Sequence, residues 1–186
     1  MTTTRVAPAK LAQTVAGIFA QAGSDAAESK AVANHLVEAN LMGHDSHGVI
    51  RVAKYIDWLK QGMVVTNRHA KTLRDDGVLL MLDGQFGYGQ VIGIDAMKAG
   101  IAKAKKHGLA LVALRNTGHL GRIGAWAEMA AAEGLVSMHF VNTSGFGMLV
   151  APHGGSDRRL SANPIAAGVP VKGAQPIILD MSTCII

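Results

Sequence analysis

The sequence predicts an α/β protein in which an N-terminal helical segment, residues 1–70, precedes a mixed α/β domain, residues 71–186. Three observations carry that expectation. Apolar residues recur at helical spacing in three blocks before Gly62. The pattern then breaks at Asp75-Asp76-Gly77, a turn flanked by apolar residues. Two units follow in which a helical stretch, a glycine and a short apolar run succeed one another, the order expected of an α/β layer.

In the first block, Leu11, Val15, Ile18 and Phe19 fall on one stripe between Lys10 and Ala22, and Gly23 supplies a stop. Asp25 followed three residues on by Glu28 reads as a capping box for a second helix, with Val32, Leu36 and Ala39 as its apolar stripe and an end near Leu41. Ser46 is a suitable N-cap for a third helix running to about Lys60, with Val49, Val52, Ile56 and Leu59 on one side. Leu73 to Leu82 reads as a hairpin. Val91 to Lys106 is helical and closes at Gly108 before the apolar run Leu109 to Leu114. Ile123 to Glu133 repeats the pattern, with Gly134 as stop and Leu135 to Val141 as strand. Beyond Val141 the chain is rich in Gly, Ser, Asn and Pro and reads as long functional loops, until Pro176 to Met181 forms a last strand.

Composition narrows the function classes. Hydrophobic residues make up 49% and charged residues 17% of the 186, which favours a packed core over disorder. No apolar run approaches the roughly 20 residues that span a bilayer, and Met1 to Lys10 does not resemble a signal peptide, so a cytoplasmic address is expected. Cys184 is the only cysteine, which excludes an internal disulfide and any multi-cysteine zinc site. The net charge of +5 arises from scattered bases and aromatics are only 4%, so no stacking surface for nucleic acid is expected; an anionic small substrate suits the charge equally well.

Chemistry concentrates in Gly43-His44-Asp45-Ser46-His47-Gly48-Val49-Ile50-Arg51, with Tyr55 beyond it. If helix begins at Ser46, His47, Arg51 and Tyr55 are each four apart and share a polar face. Arg51 offers a planar fork that matches a carboxylate, and a histidine can exchange a proton near neutral pH. The competing reading is that His47 and Tyr55 merely cap and solvate a surface helix. A metal at His44 and His47 would need a third ligand from elsewhere, and their spacing is not that of a HExxH helix, so no metal is expected. His119, flanked by glycines in Asn116-Thr117-Gly118-His119-Leu120-Gly121-Arg122, lies after an apolar strand and before a helix, where α/β sites collect; a capping histidine is the alternative. Gly87-Tyr88-Gly89-Gln90-Val91-Ile92-Gly93 misses the GxGxxG spacing, and the strand that follows ends without an acidic residue for a ribose, so it reads as a glycine-rich helix start. Ser144 lies outside any GxSxG motif and Cys184 has no activating base, so nucleophilic hydrolysis is not expected.

In order, Ser46-His47-Gly48 with Arg51, Asp83-Gly84 with Gly87 and Gly89, His119 within His-x-Gly-Arg, Ala151-Pro152-His153-Gly154-Gly155, Asn163-Pro164 and Leu179-Asp180-Met181 resemble the malate/L-lactate dehydrogenase family of the non-Rossmann type. The resemblance runs from about Leu11 to Thr183. It implies a homodimeric oxidoreductase that uses NAD or NADP to interconvert a 2-hydroxy acid and a 2-oxo acid. His47 would exchange the proton with the substrate oxygen, and His119 has an acid/base role in some relatives. Arg51, with Ser46 and Tyr55, would hold the substrate carboxylate. Cofactor contacts are implied at Asn142, Ser144, Asn163, Asp180, Ser182 and Thr183. Ala162 and Cys184 depart from the residues usual at those positions. Members of the family also continue well beyond this length, with a Gly-Lys-Gly stretch that helps bind the cofactor, so a truncated form is implied. The alternative is a catalytically inactive fragment or a dimerising interaction protein.

Overall fold

The computed structural model describes residues 5–143 and 148–184. Contacts divide the chain into two compact units, Met1–Arg122 and Ile123–Ile186, a boundary set by packing, whereas the boundary expected near residue 70 follows the change in local pattern.

In the first unit, α1 (Pro8–Gln21) and α2 (Ala26–Leu41) pack side by side. Asp25 accepts the Glu28 amide at 2.7 Å, as a capping residue should. The box does not close through Glu28 itself. Asn67 takes its place, accepting the Asp25 amide at 2.8 Å and giving its own amide to the Glu28 carboxylate. Asn67 stands at φ 57°, a backbone state that asparagine tolerates better than most residues.

The third helix begins later than expected. Asp45–His47 is a single 3-10 turn, and α3 runs Arg51–Lys60, so His47 and Arg51 do not share one α-helix and Ser46 does not cap it. The cause is Asn40 of α2, which donates to Asp45 and accepts the Val49 amide, fastening the 45–49 turn before α-helix can start. Gly48 is packed against the Asn40 side chain with no room for a Cβ. Val15, Phe19, Val32, Leu36, Tyr55, Val64 and Tyr88 form the buried core of this unit, with Val52, Ile56 and Trp58 on its margin. Tyr55 therefore belongs to the buried side of α3, not to a solvated polar face.

The hairpin is β1 (Lys71–Asp76) and β2 (Leu79–Asp83), antiparallel, with a bulge between Thr72 and Arg74. From β2 the chain crosses through α4 (Gly89–His107) to β3 (Leu111–Arg115), which pairs parallel to β2 and completes a sheet of order β1-β2-β3. Leu80, Leu82 and Ala96 form the interface of α4 with this sheet. The loops leaving β2 and β3 are zipped together: Gly84 donates to Arg115, Phe86 to Asn116 and Gly118 to Gly87. Gln85, Phe86 and Asn116 all hold positive φ there.

In the second unit, α5 (Gly124–Ala132) covers one face of an antiparallel sheet of order β4 (Ser137–Phe140), β5 (Ile165–Val169) and β6 (Ile177–Met181). The two helix-then-strand units thus feed separate sheets, not one α/β layer. β5 lies inside the stretch expected to be loop. Its Ala166 is fully buried, and at Gly168 a Cβ would press on the Ala127 backbone, so small residues of poor strand propensity are what lets the strand pass beneath α5.

Candidate active site

The residues of interest gather in the first unit, where the 3-10 turn, α3, the start of α4 and the 116–122 loop meet. The His47 and His119 rings stack at 5.2 Å between centroids, 27° apart. Tyr55 Oη lies 2.7 Å from His119 Nδ1, and Gln90 Nε2 donates to Tyr55 Oη at 3.0 Å. On the other flank, Ser46 Oγ is 2.9 Å from His47 Nδ1, while Arg51 Nε donates to the Ser46 carbonyl. All five expected residues, Ser46, His47, Arg51, Tyr55 and His119, are brought together, although not by the helical face that spacing suggested.

Local backbone explains how. Gly89 opens α4 where a Cβ would collide with the His119 carbonyl, so the glycine-rich helix start exists to let the 116–122 loop lie on it. Gly121, at φ 74°, would strike the His35 ring if it carried a Cβ. His35 Nε2 accepts the Arg122 amide at 2.9 Å, and the buried Arg122 side chain pairs with Glu38 at 2.9 Å. Two residues of α2 thereby hold the loop that carries His119.

Electrostatics separate the histidines. Burial, then the charges of His47 and Arg51, pull the His119 imidazole down to about 3, so it is neutral at physiological pH. Burial and Arg122 bring His35 down to about 4. Burial raises the Tyr55 phenol, which keeps its proton. The terminal guanidinium nitrogens of Arg51 are suited to a carboxylate.

Gln90, His35 and Asn40 were not singled out from sequence, and Arg122 only as the arginine of the His-x-Gly-Arg motif. A polar residue in an otherwise apolar first turn of α4, and a histidine beside the Val32–Leu36 stripe, were the available signals. Among the described residues no group of three His, Cys, Asp or Glu side chains converges as a metal site.

The residues to which the resemblance gives cofactor contacts lie in the second unit. Asp180 accepts the Gly124 amide at 2.8 Å, at the first residue of α5. Thr183 Oγ1 donates to the Ala162 carbonyl at 2.7 Å and Ser182 Oγ to the Cys184 carbonyl at 2.7 Å. Asn163, at φ 37°, accepts the Thr143 amide through Oδ1 at 3.1 Å. Asn142 is exposed, and Ser144 lies outside the described residues. Four of these side chains, Asn163, Asp180, Ser182 and Thr183, already hold the unit's own backbone, so as they stand they are not a ready-made cradle for a dinucleotide.

Two half-buried histidines thus lie over a buried tyrosine, beside an arginine, a set of groups able to exchange a proton and to pair with an anion. The chain belongs to the malate/L-lactate dehydrogenase family, whose model matches residues 6–186. It is 47% identical over 169 residues to hydroxycarboxylate dehydrogenase B of Escherichia coli K12, covering 91% of this chain and 46% of that one. It is 40% identical over 153 residues to an L-lactate dehydrogenase of Cupriavidus necator, covering 82% and 44%. A malate dehydrogenase structure from Pyrococcus horikoshii superposes with a TM-score of 0.92 at 37% identity, covering 98% of this chain and 51% of that one. The chain thus spans about half the length of the curated relatives it matches.

Proposed function

We propose that the chain serves an oxidoreductase that interconverts a 2-hydroxy acid and a 2-oxo acid with NAD or NADP, acting as a homodimer in the cytoplasm. The observation that carries this reading is the convergence of Arg51 with the His47–His119 pair: a cation for the carboxylate, held at the Ser46 carbonyl, beside two stacked imidazoles. The named relatives, dehydrogenases of hydroxycarboxylates and lactate, support the same substrate class.

In the reductive direction Arg51 holds the substrate carboxylate through its terminal nitrogens, with Ser46 at its side. This orients the 2-oxo group toward the imidazoles. His47 gives the proton to the ketone oxygen, and takes it back from the alcohol in reverse. His119 is neutral and donates a hydrogen bond to the same oxygen, drawing charge onto it. The nicotinamide, when bound, supplies or accepts the hydride at the carbonyl carbon. Exposed Asn142 is the cofactor contact that asks least of the second unit, whereas Asn163 would have to give up the Thr143 amide. Asp180, Ser182 and Thr183 would first have to release the backbone groups they now hold.

The test is oxidation of NADH or NADPH by a panel of 2-oxo acids, pyruvate and oxaloacetate included. Turnover by the chain, lost by about 100-fold or more in His47→Ala, is the expected result for a general acid. Turnover unaffected by His47→Ala would overturn the assignment.

A further inference from the structure

The geometry points to Gln90 and Tyr55 as positioning residues that fix His119 as a neutral imidazole with its proton on Nε2. The use of that proton toward a substrate oxygen rests on the function proposed above; the tautomer itself does not.

Hydrogen-bond directions settle along the chain from one end. Gln90 Nε2 reaches both the His119 carbonyl, at 3.2 Å, and Tyr55 Oη, at 3.0 Å. A carbonyl can only accept, so the nitrogen of the amide faces it, and the reversed amide would set two acceptors against each other. Tyr55 Oη therefore accepts from Gln90. The one phenolic proton is left for His119 Nδ1, 2.7 Å away, and burial of the ring keeps that proton in place.

An independent donor reaches the same nitrogen. The Gly121 backbone amide points at His119 Nδ1 from 3.3 Å, and a backbone N–H can only donate. With two donors directed at it, Nδ1 carries no hydrogen, and the neutral ring must hold its proton on Nε2. Burial makes the arrangement stiff. Gln90 is fully buried and Tyr55 is 2% exposed, its ring packed among Phe19, Tyr88 and Trp58. The cost of this orientation is visible as well, since Gln90 Oε1 is buried without a partner. A glutamine serving only the core could have satisfied that oxygen; here both amide hydrogens are committed to the His119 side.

The consequence is a division of labour. His119 presents a neutral N–H, and the exchangeable proton belongs to His47 stacked against it. Tyr55, 64 residues from His119 in the chain, then acts through the imidazole and does not itself touch the substrate carboxylate.

The experiment is a nitrogen-15 spectrum of the histidine-labelled chain at neutral pH, which reads Nδ1 and Nε2 of His119 separately. The expected result is a protonated Nε2 and an unprotonated, hydrogen-bonded Nδ1. In Tyr55→Phe, which keeps the ring and removes the donor, the Nε2–H to Nδ1–H ratio should fall about fivefold, the factor one ordinary hydrogen bond is worth. A proton on Nδ1 in the unaltered chain, or a Tyr55→Phe spectrum identical to it, overturns the proposal. The unaltered spectrum decides by itself if the variant does not fold. Neither cofactor nor substrate is needed, so a chain that binds no nicotinamide would fail the functional reading without touching this one.

Discussion

His35 and His119 are held neutral by the fold, at about 4 and about 3, whereas in the unfolded chain each takes up a proton near 6.5. Below 6.5 the unfolded state therefore binds more protons, and stability must fall as pH falls. The contribution is complete above about 6.5, declines below it, and stops declining near 4 for His35 and near 3 for His119, where the folded groups titrate. His139, also lowered by burial, adds in the same direction. The aspartates with depressed values, Asp57, Asp75 and Asp83, begin to lose their contribution only nearer their ordinary 3.8, so the decline between 6.5 and 4 belongs to the histidines. Urea unfolding measured across this range should lose a few kcal/mol in all, at about 1.4 kcal/mol for each tenfold weakening of a group's proton affinity by the fold. His35→Gln should flatten part of the slope. A midpoint constant from pH 7 to 4 would mean these imidazoles are solvated.

Among the elements, α2 carries a prediction of its own. Asp25→Ala removes one capping acceptor and should cost about 1 kcal/mol. Asn67→Ala should cost more than Asp25→Ala. It breaks the bonds to the Asp25 amide and the Gly23 carbonyl, and leaves a non-glycine residue at φ 57° without the side chain that favours it. Thermal melts of both variants check the order; equal losses would show that Asn67 does not close the cap. The same elements show what could be read in advance. The helices were legible because apolar spacing and glycine stops act locally, and the hairpin because Asp76-Gly77 turns it. β5 was hidden because its signal is absence of bulk, meaningful only with α5 overhead. The start of α3 was misplaced because Asn40, back in α2, controls it through space. At the site, Ser46, His47, Arg51 and His119 were legible as reactive types near glycines. Gln90 was not, since nothing in a helix's first turn announces a partner on α3.

At the scale of the whole chain, the sheet of the second unit is covered by α5 on one face only. The opposite face carries Met138, Phe140, Ile177, Leu179 and Met181, all exposed, with Phe140 at 72%. No helix among the described residues is long and apolar enough to cross a membrane. Cofactor binding tests most directly the proposed nicotinamide-dependent reaction on a 2-hydroxy or 2-oxo acid. The measurement is a titration of the 186-residue chain with NADH and with NADPH, followed by the fluorescence of Trp58 and Trp126 and by calorimetry. Saturable binding of at least one of the two is the predicted result. A folded chain that binds neither would contradict the claim and leave the site as a histidine-lined surface without its hydride source.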